Sequence, residues 1–206
     1  MADSTRQSVA TSAVIGWILL TVLLVAVVGF GLTVAGVVEI GASDADTDAR
    51  IAADLDRAAK LLGLDREDLM VGDLGVDPER LEEAGHLVDR AVARAPRSAD
   101  AHRLRAIHRL MAGDLDTASN AATRAVAFEP AEPMHHLLLG AIQAQKRDFV
   151  AAEATFRRAT ETWPGSVEAW HGLGQTLFLL GREDDAAAAY REKLAVQKRR
   201  DESTER

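Results

Sequence analysis

The pattern of apolar and polar positions changes once, sharply, near Val38. From Gln7 to Val38 there is no charged residue, and Ala13–Val38 is almost wholly apolar. Beyond Val38 charged and apolar residues alternate at helical spacing to the end of the chain. A helix buried in a globular core keeps a polar stripe, and Ala13–Val38 has none. At about 1.5 Å per residue this run makes a helix of roughly 39 Å, longer than a hydrocarbon core of ~30 Å. It predicts a single transmembrane helix over residues 13–38. A cleavable signal peptide is the alternative, with cleavage after Ala42 among the small residues Gly41, Ala42 and Ser43. Its apolar core would run only about 7–15 residues, which favours the uncleaved span.

Arg6 precedes the span, while Glu39, Asp44, Asp46 and Asp48 follow it before the first base, Arg50. Positive residues favour the cytoplasmic side, so the expectation is a single-pass cell-membrane protein with its N-terminus inside and its bulk outside. Within the span Ala26, Gly29, Thr33 and Gly36 share one helical face. Small residues in a row admit a second helix, so this face is a candidate for homo-oligomer contact, although Gly and Ala are common in membrane helices in any case.

The divisions that follow are a tail over 1–12, the span over 13–38, an acidic linker over 39–50, a helix and irregular connector over 51–78, a repeat domain over 79–200 and a charged tail over 201–206. Ile51, Leu55 and Leu62 with neighbouring alanines predict an amphipathic helix to about Leu64. Gly72, Gly75 and Pro78 make the next stretch a connector.

A period then governs the chain. Pro96, Pro130 and Pro164 are 34 residues apart, as are Ala84, Ala118, Ala152 and Ala186. Ala91, Ala125 and Ala159 form a third series, and Val88, Ala122, Phe156 and Tyr190 a fourth. Repeats of this length indicate stacked helical hairpins. Alanines let helices approach closely, the larger fourth-series residues fill between them, and each proline ends a hairpin. Ser98 and Ser166 are placed to cap the helices after them, and Gly113 and Gly181 to end first helices.

These residues resemble the tetratricopeptide repeat. The last unit carries its pattern in Trp170, Leu173, Gly174, Leu177, Gly181, Ala186 and Tyr190, with Lys193 in place of the second helix-B alanine. The middle unit carries Leu139, Gly140, Ala152, Phe156, Ala159 and Pro164, with His136 at the tryptophan position and Gln143 at the bulky one. The first unit matches through Ala118, Ala125 and Pro130 but departs in its first helix, where Arg105 and Arg109 stand at apolar positions. Leu104, Ile107 and Met111 still make an apolar stripe there, which suggests a rotated helix. Before it, Glu79–Ala95 reads as a second helix without its first. The fold expected is all-α: one N-terminal transmembrane helix, then a solenoid of about three hairpins plus a leading helix.

The resemblance implies a superhelix whose concave face binds peptides or helices of partner proteins. Carried onto this chain, that face falls at Asp100, Arg103, Ile107 and Leu110, then Met134, Leu137, Ala141 and Ala144, then Glu168, His171, Gln175 and Phe178. The candidate protein-binding residues are Arg103, Ile107, Leu110, Met134, Leu137, Ala141, His171, Gln175 and Phe178. Met134 and Leu137 serve as core residues in an alternative reading. Some members bind acidic C-terminal tails through Lys and Asn, but Ile107 and Ala141 occupy those Asn positions here.

Composition narrows the chemistry. The chain of 206 residues has no cysteine, only 4% aromatics and a net charge of −8. Thiolate chemistry is excluded, and an acidic surface disfavours nucleic acid. His135 and His136 are neighbours on a helix and point about 100° apart, so they do not share a metal. His102 and His136 stand where Trp170 stands in the third unit, as packing residues. No phosphate-cradling loop or nucleophile motif occurs. Neither a cofactor nor an enzymatic activity is expected. The function expected is a membrane-anchored adaptor that assembles or recruits a membrane-associated complex. It looks similar to bacterial membrane repeat proteins of cytochrome c maturation and of translocon-associated chaperoning. The alternative is a non-catalytic subunit of a membrane enzyme held through its span.

Overall fold

The computed structural model describes residues 45–64 and 77–204, and the regular structure in them is helical. Helix α1 covers residues 45–61. It is followed by α2 (Pro78–Arg94), α3 (Ala99–Met111), α4 (Leu115–Phe128), α5 (Pro133–Gln145), α6 (Phe149–Thr162), α7 (Val167–Leu179) and α8 (Glu183–Thr204). The chain divides into two units, Met1–Arg50 and Ile51–Arg206, and the hairpins lie wholly in the second. The run 13–38, its small-residue face at Ala26, Gly29, Thr33 and Gly36, and the connector residues 65–76 lie outside the described residues. Among the described residues no helix is long and apolar enough to cross a membrane.

Each hairpin is built by the same local devices. The first helices are capped by Ser98, which accepts from Ala101 N at 3.2 Å, by Glu132 and by Ser166. The second helices are capped by Asp114, Asp148 and, where α8 begins, a turn at Arg182. Between them the chain turns through a left-handed residue: Gly113 at φ +80°, Arg147 at φ 61° and Gly181 at φ +75°. In each turn the next amide reaches back five residues: Asp114 N to Arg109 O, Asp148 N to Gln143 O, and Arg182 N to Leu177 O, all at 2.9 Å. These bonds satisfy carbonyls that the helix end would leave orphaned. Glycine takes this conformation freely, whereas Arg147 holds it against its own Cβ.

A second repeating device closes each hairpin onto its predecessor. His102 Nε2 lies 3.0 Å from Pro96 O and His136 Nε2 3.0 Å from Pro130 O, while Trp170 Nε1 donates to Pro164 O at 3.1 Å. A carbonyl can only accept, so both histidines carry their proton on Nε2. The histidines substitute for tryptophan because each ring offers an N–H at the same reach.

Three expectations are corrected. Residues 45–50, read as part of an acidic linker, are helical, and Asp46 and Arg50 pair at 2.6 Å across one turn. Asp201–Thr204, read as tail, continue α8. Helix α2 is not unpaired: Ala58 and Leu62 of the leading segment share a core with Ala84, Leu87, Val88 and Leu104. Asp54 accepts from Arg90 at 2.8 and 2.6 Å and from Arg94 at 3.2 Å, and Arg57 pairs with Glu83. The bond from Arg90 holds the Asp54 carboxyl below the usual carboxylate range against the opposing effect of burial, with the charges of Arg90 and Arg94 adding to it. The 34-residue period hides this pairing, because the connector 65–76 puts α1 out of register with the later first helices.

Candidate protein-binding groove

Helix α3 touches α5 and α5 touches α7, whereas α4, α6 and α8 touch only their neighbours in sequence. The first helices of the hairpins therefore form the inner side of the array, and their exposed residues line one continuous face.

The candidate residues separate on that face. In α3, Arg103 is half-buried and its guanidinium donates to Asp100 Oδ1 at 3.1 and 2.9 Å, so its charge is already engaged. Ile107 packs on the core of Leu62, Val88 and Leu104, and Leu110 on that of Ala106, Ala118 and Ile142. In α5, Leu137 packs against Phe156 and Leu173 and so serves the core in part, whereas Met134 is 53% exposed. In α7, His171 is half-buried with its ring centroid 6.1 Å from that of Tyr190. Burial, reinforced by the charge of Lys193, pushes the His171 pKa below its ordinary value.

Ala141, Gln175 and Phe178 come together. They line a cavity of about 510 Å³ with Ala144, Gly172 and Leu179 on the same two helices, and Phe156 and Tyr190 behind them. Phe178 is 60% exposed and Leu179 54%. Arg103, Ile107 and Leu110 do not reach this cavity.

The cavity exists because of small residues. Gly172 stands where the other units have Leu104 and Leu138. A methyl group on Gly172 would lie 2.6 Å from Phe156 Cζ, and one on Gly140 would lie 2.8 Å from the same atom. Phe156 is thus held between glycines of α5 and α7, with its edge reached through the gap. Gly174 accommodates Tyr190 in the same way, at 2.7 Å from Cε1. Sequence reasoning placed Phe156 and Tyr190 in the packing between helices and missed them as cavity lining. The signal available was the Leu-to-Gly exchange at position 172.

A stack of helical hairpins with an open, partly apolar inner face defines a class of repeat proteins whose members differ in what that face carries. The tetratricopeptide-repeat model matches residues 72–133, 109–167 and 137–198, and the chain belongs to that family. No curated protein matches the chain by sequence. Among solved structures, MamA is similar over 78% of this chain and 94% of its own at 20% identity, with a TM-score of 0.57. PilF of Pseudomonas aeruginosa is similar over 74% and 64% at 15% identity, with a TM-score of 0.61. The second repeat domain of human RPAP3, solved with the HSP70 peptide SGPTIEEVD, is similar over 63% and 97% at 15% identity, with a TM-score of 0.52. These likenesses concern the fold.

Proposed function

We propose that the chain is a non-catalytic adaptor that holds a segment of a partner protein on the α5–α7 inner face, with a large apolar side chain of the partner seated in the cavity. The observation that carries this reading is an open cavity of about 510 Å³ floored by Phe156 and Tyr190 and flanked by exposed Phe178 and Leu179. An anchor side chain in such a pocket supplies most of the energy of a peptide interface, and the surrounding contacts exclude water. The RPAP3 domain was solved with the peptide SGPTIEEVD, whose last four residues include three acids. Here no Lys or Arg among the described residues lines the cavity, and Arg103 is committed to Asp100, so an acidic tail would find no cationic partner in it. Affinity selection of a random peptide library on the chain tests the reading. Peptides with a central aromatic or long aliphatic residue are expected, and enrichment of acidic C-terminal carboxylates would contradict it.

The adaptor reading extends to a membrane tether. The uncharged run Gln7–Val38 supports a single span, and Arg6 before it supports an extracytoplasmic repeat domain. In this reading the groove recruits or assembles a complex at the bilayer. The full chain then resists a carbonate wash that releases residues 41–206, and protease added to spheroplasts digests the repeats. Release of the full chain by the wash would contradict the tether.

A further inference from the structure

The α3–α4 crevice of the first hairpin differs from its equivalent in the third, although the second hairpin also carries an arginine, Arg158, at the Arg124 position. A crevice of about 180 Å³ between α3 and α4 is lined by His102, Arg105, Thr117, Asn120, Ala121 and Arg124. The same crevice in the third hairpin lies between α7 and α8, and there Trp170, Leu173, Asp185, Ala188, Ala189 and Glu192 occupy the equivalent positions. The period therefore allows a residue-by-residue comparison. Leucine is exchanged for Arg105, a carboxylate for Thr117, alanine for Asn120 and glutamate for Arg124. Every exchange replaces an apolar or acidic group with a hydrogen-bond donor.

The charges gathered there are not balanced. Arg109 donates to Asp89 Oδ2 at 3.0 Å, and Arg105 Nε lies 3.3 Å from Asp89 Oδ1 without forming a hydrogen bond. One carboxylate thus faces two guanidinium groups. Arg124 makes no ion pair among the described residues, and no carboxylate lines the crevice. His102, only 1% exposed, gives its Nε2 proton to Pro96 O and so brings no charge to the crevice. Arg105 Nε and Arg109 Nε are buried without an acceptor, which is costly, and the two guanidinium groups share the single Asp89 carboxylate.

We propose that this crevice binds a tetrahedral oxyanion of the phosphoryl class, gripped by Arg105 and Arg124 and hydrogen-bonded by the Thr117 hydroxyl and the Asn120 amide. Guanidinium groups offer paired donors that match adjacent oxygens of such a group. The volume is about six times the ~30 Å³ share of a liquid water, which accommodates a phosphoryl group. The crevice shares no lining residue with the inner-face cavity. The shared chemistry comes either from free phosphate or from a phosphorylated side chain.

Titration of the full chain in neutral detergent with inorganic phosphate, and separately with a phosphoserine peptide, tests this at matched ionic strength. Saturable binding is expected for at least one probe, at least tenfold weaker in Arg105→Leu and in Arg124→Glu. Arg105→Leu restores the residue present at Leu139 and Leu173, and Arg124 is exposed, so both variants are expected to fold. Tighter binding of the peptide assigns the source to a modified protein, and equal or tighter binding of the ion assigns it to free phosphate. Absence of saturable binding by the wild-type chain to either probe, or equal binding by a folded variant, overturns the proposal.

Discussion

Gly172 on α7 makes room for the ring of Phe156 on α6, and no other residue type could stand there without moving that ring. The contact joins the second hairpin to the third and at the same time opens the inner-face cavity, so packing and site depend on one missing side chain. Gly172→Ala is expected to cost about 1–3 kcal/mol by overpacking. Thermal or denaturant unfolding reads this directly, and an unchanged melting temperature would show that Phe156 yields freely.

Arg147 occupies the left-handed turn position that Gly113 and Gly181 occupy in the flanking hairpins. Releasing its Cβ strain outweighs the added entropy of the unfolded chain, so Arg147→Gly should stabilise by about 0.5–1 kcal/mol. Gly113→Ala and Gly181→Ala should do the reverse. The three variants compared by chemical denaturation test the equivalence of the turns.

His108 gives a pH dependence. Its Nε2 donates to Leu81 O at 3.0 Å, and its ring fills the space beside Gly85. Burial, then the charge of Arg109, holds its pKa below the ordinary value of 6.5, against the opposing effects of the Leu81 bond and Asp89. The unfolded chain therefore binds more protons than the folded one as the pH drops below 6.5. The stability associated with neutral His108 is complete above that pH and is lost as the pH falls through the folded value. A His108→Gln variant should show a shallower decline of melting temperature between pH 7 and pH 5 than the wild type. Parallel curves would contradict this.

The period was legible because each unit meets the same constraints with the same few residues. Alanines allow close approach, a ring N–H meets the proline-segment carbonyl, and a left-handed residue follows each first helix. The histidine–tryptophan equivalence was visible as a position, but its cause, the bond to Pro96 or Pro130, needed the backbone path. The pairing of α1 with α2 was not legible, since Asp54 meets Arg90 and Arg94 across a connector that breaks the period. The inner face was expected as a set of offsets carried over from the family resemblance. Which offsets stay open was not legible, because Ile107, Leu110 and Leu137 are apolar enough for either role and only their neighbours assign them to packing.

The protein-binding reading is tested most directly by site-specific photocrosslinking in cells. A benzophenone side chain is placed at Gln175 in the cavity wall, or at Val150, which is 72% exposed and does not line the cavity. The Gln175 probe is expected to trap one discrete partner that the Val150 probe does not trap. Adding Ala141→Glu should abolish that adduct while leaving the melting temperature unchanged. Ala141 is exposed in the free protein, so the charge stays hydrated until an apolar partner must cover it. An adduct of equal yield from both probes, or one that survives Ala141→Glu, would contradict binding through this groove.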